Sequence, residues 1–361
     1  MSSWGELILR LPILLNTAAL HIPDGFLSVP VALVGLVLAV VVLAYAIRQS
    51  QDSLGERQIP LLGVMAAFVF AAQSINFPVL GGTSGHLLGA ALVSIVAGPW
   101  SAVLVMTVVV GLQALLFQDG GLLALGWNIV NMAVLAVLTA TLSFRVLNRI
   151  LGDSRTSLLI ATVVASWLSV VVSATAAGVE LAASDTGLLV TIPAIAGIHA
   201  IIGVGEALIT VAAVLFIARI RPLALYDSKV AGDFRSAYVI AIGLIVAVIV
   251  ATLSVLSSPS PDGLERVAID FDFASRAIEP VMRIMPDYTL PGIDSDIGGI
   301  IVVIGGAILA FALILFFAWL IRRLRTRRLR GRHLDTQHLE SSLLVSQSVG
   351  TEESGVSESV D

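Results

Sequence analysis

Nine apolar runs, at 29–47, 61–79, 86–100, 101–118, 122–144, 157–180, 188–218, 237–257 and 297–321, dominate the chain. A bilayer core about 30 Å thick takes about 20 residues of helix, and the chain must satisfy its backbone polar groups internally while crossing it. Most of these runs are of that length. The third and fourth are individually short and meet at Gly98-Pro99-Trp100, where proline disfavours an unbroken helix. With 57% of 361 residues hydrophobic and 12% charged, a soluble globular reading is excluded. The expected fold class is an all-α polytopic membrane protein of about nine transmembrane helices, a seven-helix body followed by a two-helix C-terminal module.

Charge placement orients the spans. If the residues before the first run lie outside, alternate loops carry Arg48 and Arg57; then Arg145, Arg149 and Arg155; then Arg219, Arg221, Lys229 and Arg235; and finally Arg322 to Arg332. Together these hold 16 of the 20 basic residues. Basic loops stay cytoplasmic, so an N-out, C-in topology in the plasma membrane is expected.

The same composition narrows the chemistry. There is no cysteine, so a metal site must be built from nitrogen and oxygen donors. Lys229 is the sole lysine and does not stand in a phosphate-binding glycine loop, so the chain does not bind ATP in that way. The chain also lacks a His-Glu-x-x-His pattern, a Gly-x-Ser-x-Gly pattern and a pair of membrane aspartates, and no enzymatic activity is expected. The expected surroundings are lipid bilayer, with no nucleic-acid partner.

Polar residues gather where an apolar chain tolerates them least. His21 stands beside a Pro23-Asp24-Gly25 turn before the first run, and His86 lies in the glycine-rich loop Gly81-Gly82-Thr83-Ser84-Gly85 to Gly89, where backbone can approach a ligand closely. Gln73, Ser74 and Asn76 precede that loop; Gln113, Gln118 and Asp119 precede Gly120-Gly121; Trp127, Asn128 and Asn131 open the next run. Such groups either bond across helices or line an interior site. His199 and Glu206, seven residues apart on one helix face, read as a buried polar pair or as support for a site. The candidate supporting residues are Gln118, Asp119, Asn128, His199 and Glu206. In the first run, Gly35-x-x-x-Ala39 offers a small-residue face for a partner subunit.

Five stretches organise the chain: a leader or mis-assigned start at 1–19, the body at 20–220, a basic linker at 221–236, a hairpin module at 237–321 with an outer loop at 258–296, and a tail at 322–361 that begins with arginines and reads as disordered. A loop as long as 258–296, with turn signals and apolar residues of its own, is expected to be functional or a small folded cap. Its acidic residues Asp262, Glu265, Asp270, Asp272 and Glu279 either attract a cation or keep the loop soluble. Thr17 and Ala19 resemble a signal-peptidase site before Leu20, and a leucine-type codon at 20 is the alternative start.

At His21-Ile22-Pro23-Asp24-Gly25-Phe26-Leu27, Gly81 to Gly89 and Phe117-Gln118-Asp119-Gly120-Gly121 to Gly126, the sequence resembles the CbiM/NikM family, the substrate-binding membrane subunits of energy-coupling-factor transporters for cobalt or nickel. Residues 261–296 are similar to the Pro-Asp-Gly-Leu-Glu module fused to some of these subunits. The resemblance implies a seven-helix binding body, a transmembrane partner subunit, a pair of cytoplasmic ATPases, and Ni(II) or Co(II) as transported substrate. It also implies a four-nitrogen site made by the N-terminal amine of Leu20, the backbone nitrogen and ring of His21, and the ring of His86. Such an array suits Ni(II). Two other readings compete with capture and ATP-driven import: a gradient-driven cation transporter with His199 and Glu206 as proton carriers, and a membrane metal sensor with the arginine-rich tail as its output.

Overall fold

The structure, a computed structural model, describes residues 21–53, 58–152, 154–184, 188–220, 237–280, 282–290, 292 and 295–355. The leader, Leu20 and the linker 221–236 lie outside them. The fold is all-α apart from a two-stranded antiparallel hairpin, β1 (Phe77–Val79) and β2 (Thr83–Gly85). In chain order the helices are α1 (Val29–Ser53), α2 (Ile59–Gln73), α3 (Ala90–Ala97), α4 (Pro99–Leu112), α5 (Leu125–Asn128), α6 (Ala136–Leu151), α7 (Arg155–Ala183), α8 (Leu188–Ile220), α9 (Ala237–Thr252), α10 (Gly263–Asp270) and α11 (Asp296–Gly355). Helix α4 runs on as a π-helical turn, Gln113–Phe117, and a second π segment, Ile129–Leu135, joins α5 to α6.

Among the described residues six helical stretches are long and apolar enough to cross a membrane: Val29–Gln51, Pro99–Phe117, Leu125–Leu151, Arg155–Ala183, Val190–Arg219 and Asp296–Arg325. Two shorter apolar ones, Ile59–Gln73 and Ile240–Leu256, accompany them. The run at 61–79 is helical only to Gln73, because Ser74 and Asn76 leave the helix and Pro78 sits in a strand. The run at 86–100 holds only α3, whose eight residues span about 12 Å at 1.5 Å per residue. Its residues Ala90 to Val96 are buried, so it is a short interior helix rather than a full-length one.

Close packing follows from where the small residues are. Helices α7 and α8 share the most extensive contact, with Gly178 so near Ile192 that a Cβ would lie 3.0 Å from its Cα. The Trp167 indole donates to Ala200 O at 2.8 Å across the same pair. Gly35 is covered by the Trp127 ring, and Gly126 lies against the backbone of Leu36. The small-residue face read as a partner surface is therefore spent inside the chain, where it lets α5 approach α1; Trp127 also donates to Val31 O at 2.6 Å.

The C-terminal hairpin is docked along α2 as well as through its outer loop. Val64 fills the space beside Gly243, Phe311 the space beside Gly63, and Phe70 the space beside Gly306. The outer loop is folded around α10, whose amphipathic sequence buries Leu264, Val267 and Ala268. Two compact units divide the chain, Met1–Leu315 and Phe316–Asp361. Within the second, the Arg323 guanidinium lies 5.1 Å from the Trp319 ring centroid. Helix α11 continues to Gly355, where the sequence reads as disordered; no proline interrupts 322–355, and Leu, Gln, Glu and Arg favour helix there.

Candidate metal site

A short extended segment, 21–23, is held on both edges. Asn128 mimics a neighbouring strand: its Oδ1 accepts from Ile22 N at 2.8 Å and its Nδ2 donates to Ile22 O at 3.1 Å. Gly121 N donates to the same carbonyl at 2.9 Å. This approach needs two glycines. Gly120 has φ of 98°, and a Cβ there would sit 3.1 Å from His21 Cβ; one on Gly121 would strike Asp24. The Asp24 carboxylate then accepts from Leu122 N at 3.1 Å and from Leu123 N at 2.8 Å, closing the turn onto the loop before α5.

So placed, the His21 ring is wholly buried, and its Nδ1 lies 2.9 Å from Asp119 Oδ1. His86, 6% exposed, stacks beside it with ring centroids 5.8 Å apart and planes inclined by 27°. Nδ1 of His86 donates to Leu87 O at 2.7 Å; a carbonyl only accepts, so Nε2 is the lone-pair nitrogen. Neither His21 ring nitrogen has a hydrogen bond of good geometry, the Asp119 contact being an off-axis ion pair. Leaving a buried polar group unsatisfied costs about 1–3 kcal/mol, and native structures keep such groups mainly where something else binds them. Burial alone pushes the His21 imidazole down, but the Asp119 carboxylate outweighs it and the group is held above its ordinary value. Asp119, which burial pushes up, is held below the usual carboxylate range by His21 and by the Tyr288 hydroxyl.

The His86 loop is fixed from beneath. Glu206 accepts from Leu88 N at 2.6 Å and Gly89 N at 2.9 Å, and Gln73 Nε2 donates to Leu88 O at 2.7 Å. His199 is bonded elsewhere, to Ile195 O at 2.8 Å, and borders a cavity of about 10 Å³ next to His86. His199 and Glu206 share a buried face, but Glu206 serves the loop rather than its helix neighbour. Gln118 turns away, in the left-handed region at φ 56°, and donates to Leu116 O at 3.1 Å. We expect Glu206→Ala, which strips the acceptor from two buried amides, to weaken metal binding about 10–100-fold. Glu206→Gln keeps an oxygen acceptor and should recover most of the loss. Calorimetric titration with Ni(II) reads both, and unchanged affinity in the alanine variant contradicts the role.

The C-terminal module covers the site through specific hydrogen bonds. Ser84 N donates to Pro261 O at 2.8 Å and its hydroxyl to Ser260 O at 2.7 Å. Asp262 caps α10 by accepting from Leu264 N and Glu265 N. Burial pushes its carboxyl up to about 7 against those two donors. Gly263 fits against His199 and Ile198 where a Cβ would not. Asp270 and Glu279 pair within the loop, with Arg266 at 3.0 Å and Arg283 at 2.6 Å, which accounts for them as surface charges. Tyr288 donates to Asp119 Oδ2 at 2.6 Å, receives Gln113 Nε2 at 3.1 Å and stacks on Phe117 at 4.9 Å. Nothing in the local sequence around Tyr288 marks it, because its partners lie about 170 positions away.

Among the described residues no three His, Asp or Glu side chains are set to hold a metal ion, so side chains alone do not complete a site. Two imidazoles and the pinned backbone of residues 21–23 are what the described residues supply. Leu20, the expected source of an amine, lies outside the described residues.

Comparison with known proteins bears on this arrangement. The family model described as a cobalt uptake substrate-specific transmembrane region matches residues 21–224, and the PDGLE domain model matches 237–323. A protein of Archaeoglobus fulgidus named as a fused nickel transport protein, NikMN, is 34% identical over 297 residues, covering 81% of this chain and 96% of its own length. One from Haloquadratum walsbyi, named as a metal transport protein, is 41% identical over 208 residues, or 56% of this chain and 92% of the relative. A solved structure of a truncated transition metal transporter aligns with a TM-score of 0.50 at 31% identity, over 55% of this chain and 99% of that one.

Proposed function

The chain belongs to the CbiM family of substrate-specific transmembrane regions, with a fused PDGLE domain, and on that footing we propose that His21 and His86 hold its transported ion. It is a multi-pass membrane protein that binds a divalent transition metal, nickel or cobalt, for import, and it is not an enzyme. The observation that carries the proposed site is the buried, stacked histidine pair, with His21 Nδ1 paired to Asp119 and its Nε2 without a hydrogen bond, beside the pinned segment 21–23. The amine of Leu20, freed by processing or by a start at that residue, and the backbone nitrogen of His21 supply the remaining donors. Four nitrogens in a plane favour Ni(II), and Co(II) is the second ion. Asp119, Asn128 and Glu206 position the donors, and His199 borders them.

The remaining assignments are part of the same proposal. The body spans 20–220, the linker 221–236 and the module 237–321, with about nine helical passes, the site end outside and the tail inside, as the arginine distribution favours. Energy comes from a partner transmembrane subunit and cytoplasmic ATPases, since no phosphate-binding loop is present in the chain. In vesicles carrying the assembled complex, Ni(II) uptake should require ATP and survive collapse of the membrane potential. Uptake that follows the potential without ATP contradicts the proposal and favours a gradient-driven carrier.

A further inference from the structure

A cavity of about 360 Å³ opens between the body and the C-terminal module and reaches His86 and Asp119 at its inner end. Polar side chains make up about half of its walls: Ser254, Ser257 and Ser258 just after α9, Asp287 and Asp296, and the amides Gln73 and Asn76. Gln73 is 3% exposed, and its Oε1 has no hydrogen-bond partner, nor has Asn76 Oδ1. A divalent ion with six waters, at about 30 Å³ each, fills about 200 Å³, so the cavity accommodates the ion with its water shell. Serine and amide oxygens hold such an ion loosely through its waters, whereas the imidazoles at the far end bind it directly.

At that far end stands one residue from the module. Tyr288 lines the cavity, and its hydroxyl is fixed from two sides, donating to Asp119 and accepting from Gln113, while its ring lies flat on Phe117. Asp119 is the carboxylate that faces His21. His86 lines this cavity and His21 does not; Asp119, which also lines it, joins the Tyr288 hydroxyl to the His21 ring. We propose that the cavity is the path by which the hydrated ion reaches the histidine pair, and that the Tyr288 hydroxyl is the latch at its inner end. The proposal rests on the assignment of His21 and His86 as ligands. It makes Tyr288 a positioning residue: breaking its bond speeds the passage of the ion in both directions, an effect that support of Asp119 alone would not give.

The absence of cysteine makes the path directly testable in the full chain, because any introduced thiol is unique. Ser254→Cys places it on the cavity wall and Leu80→Cys places it on the exposed hairpin tip. After reaction with a positively charged, cleavable methanethiosulfonate, loading with radiolabelled Ni(II) should slow at least about tenfold for Ser254→Cys and not for Leu80→Cys. It should recover once the adduct is reduced and the reductant removed. Because the comparison is made on the same protein before and after, loss of fold does not mimic the result. Tyr288→Phe keeps the ring stack and should raise both loading and release rates about tenfold or more, whereas loss of a merely structural support for Asp119 would leave the loading rate unchanged or lower it. Unslowed loading by modified Ser254→Cys overturns the path, and unchanged loading and release in Tyr288→Phe overturns the latch. Failure of the unsubstituted chain to take up Ni(II) overturns the ligand assignment instead.

Discussion

Alanine at His86 is expected to abolish stoichiometric Ni(II) binding by the purified chain, and alanine at His21 to do the same. A four-nitrogen site that loses one imidazole has no spare donor nearby. Asp119 is the nearest side-chain alternative, and it is already engaged by His21 and Tyr288. The loss should exceed the roughly 10–100-fold that removal of a supporting hydrogen bond costs. His199→Ala is the informative control. It too removes a buried histidine bordering the small cavity near His86, but its ring is bonded to Ile195 O of its own helix, and binding should persist within about tenfold. Equal loss in all three variants, with intact thermal unfolding, contradicts the assignment.

Truncation after Arg235 is expected to abolish Ni(II) uptake, and co-expression of 237–321 as a separate hairpin is expected to restore it. The module's loop makes backbone bonds to every loop that frames the site: Pro261 to Ser84, Ile278 to Asp24, Met285 to Leu116 and Ser258 to Asn76. Without them the His86 hairpin and the Asp119 loop lose their outer cover. Helices α7 and α8 share the most extensive contact in the fold, and although α10 of the module rests on α8 at His199 and Ile198, that helix pair is built wholly from body residues, so the body should remain folded in the membrane. Full uptake by the truncated body contradicts the account.

Much of the architecture was legible because it depends on local sequence. Long apolar runs became helices, and Pro60 and Pro99 sit in first turns, where a missing N–H costs nothing. The exceptions have physical causes. Helix α3 is shorter than its run because the Gly89 backbone, at φ of 78°, and the loop bonded to Glu206 take residues that hydropathy alone assigns to a helix. Gly35 looked like an outward docking face because a glycine carries no sign of which partner covers it; Trp127, far along the chain, does. The two histidines and most of their supports could be read from polar residues in apolar surroundings. Asp24, which ties 21–25 to the loop before α5, and Tyr288, which reaches Asp119 from the module, became visible only with long-range contacts.

The account stands most directly on the nitrogen at the start of the mature chain. Protein purified from membranes should be sequenced from its N-terminus, loaded with Ni(II), and analysed for bound metal before and after chemical blocking of its terminal amine. The prediction is a chain that begins at position 20, with leucine there after processing or methionine after initiation at that codon, and that binds one Ni(II), with binding lost on blocking. Stoichiometric Ni(II) on chains that retain residues 1–19, or on chains whose terminal amine has been blocked, contradicts it.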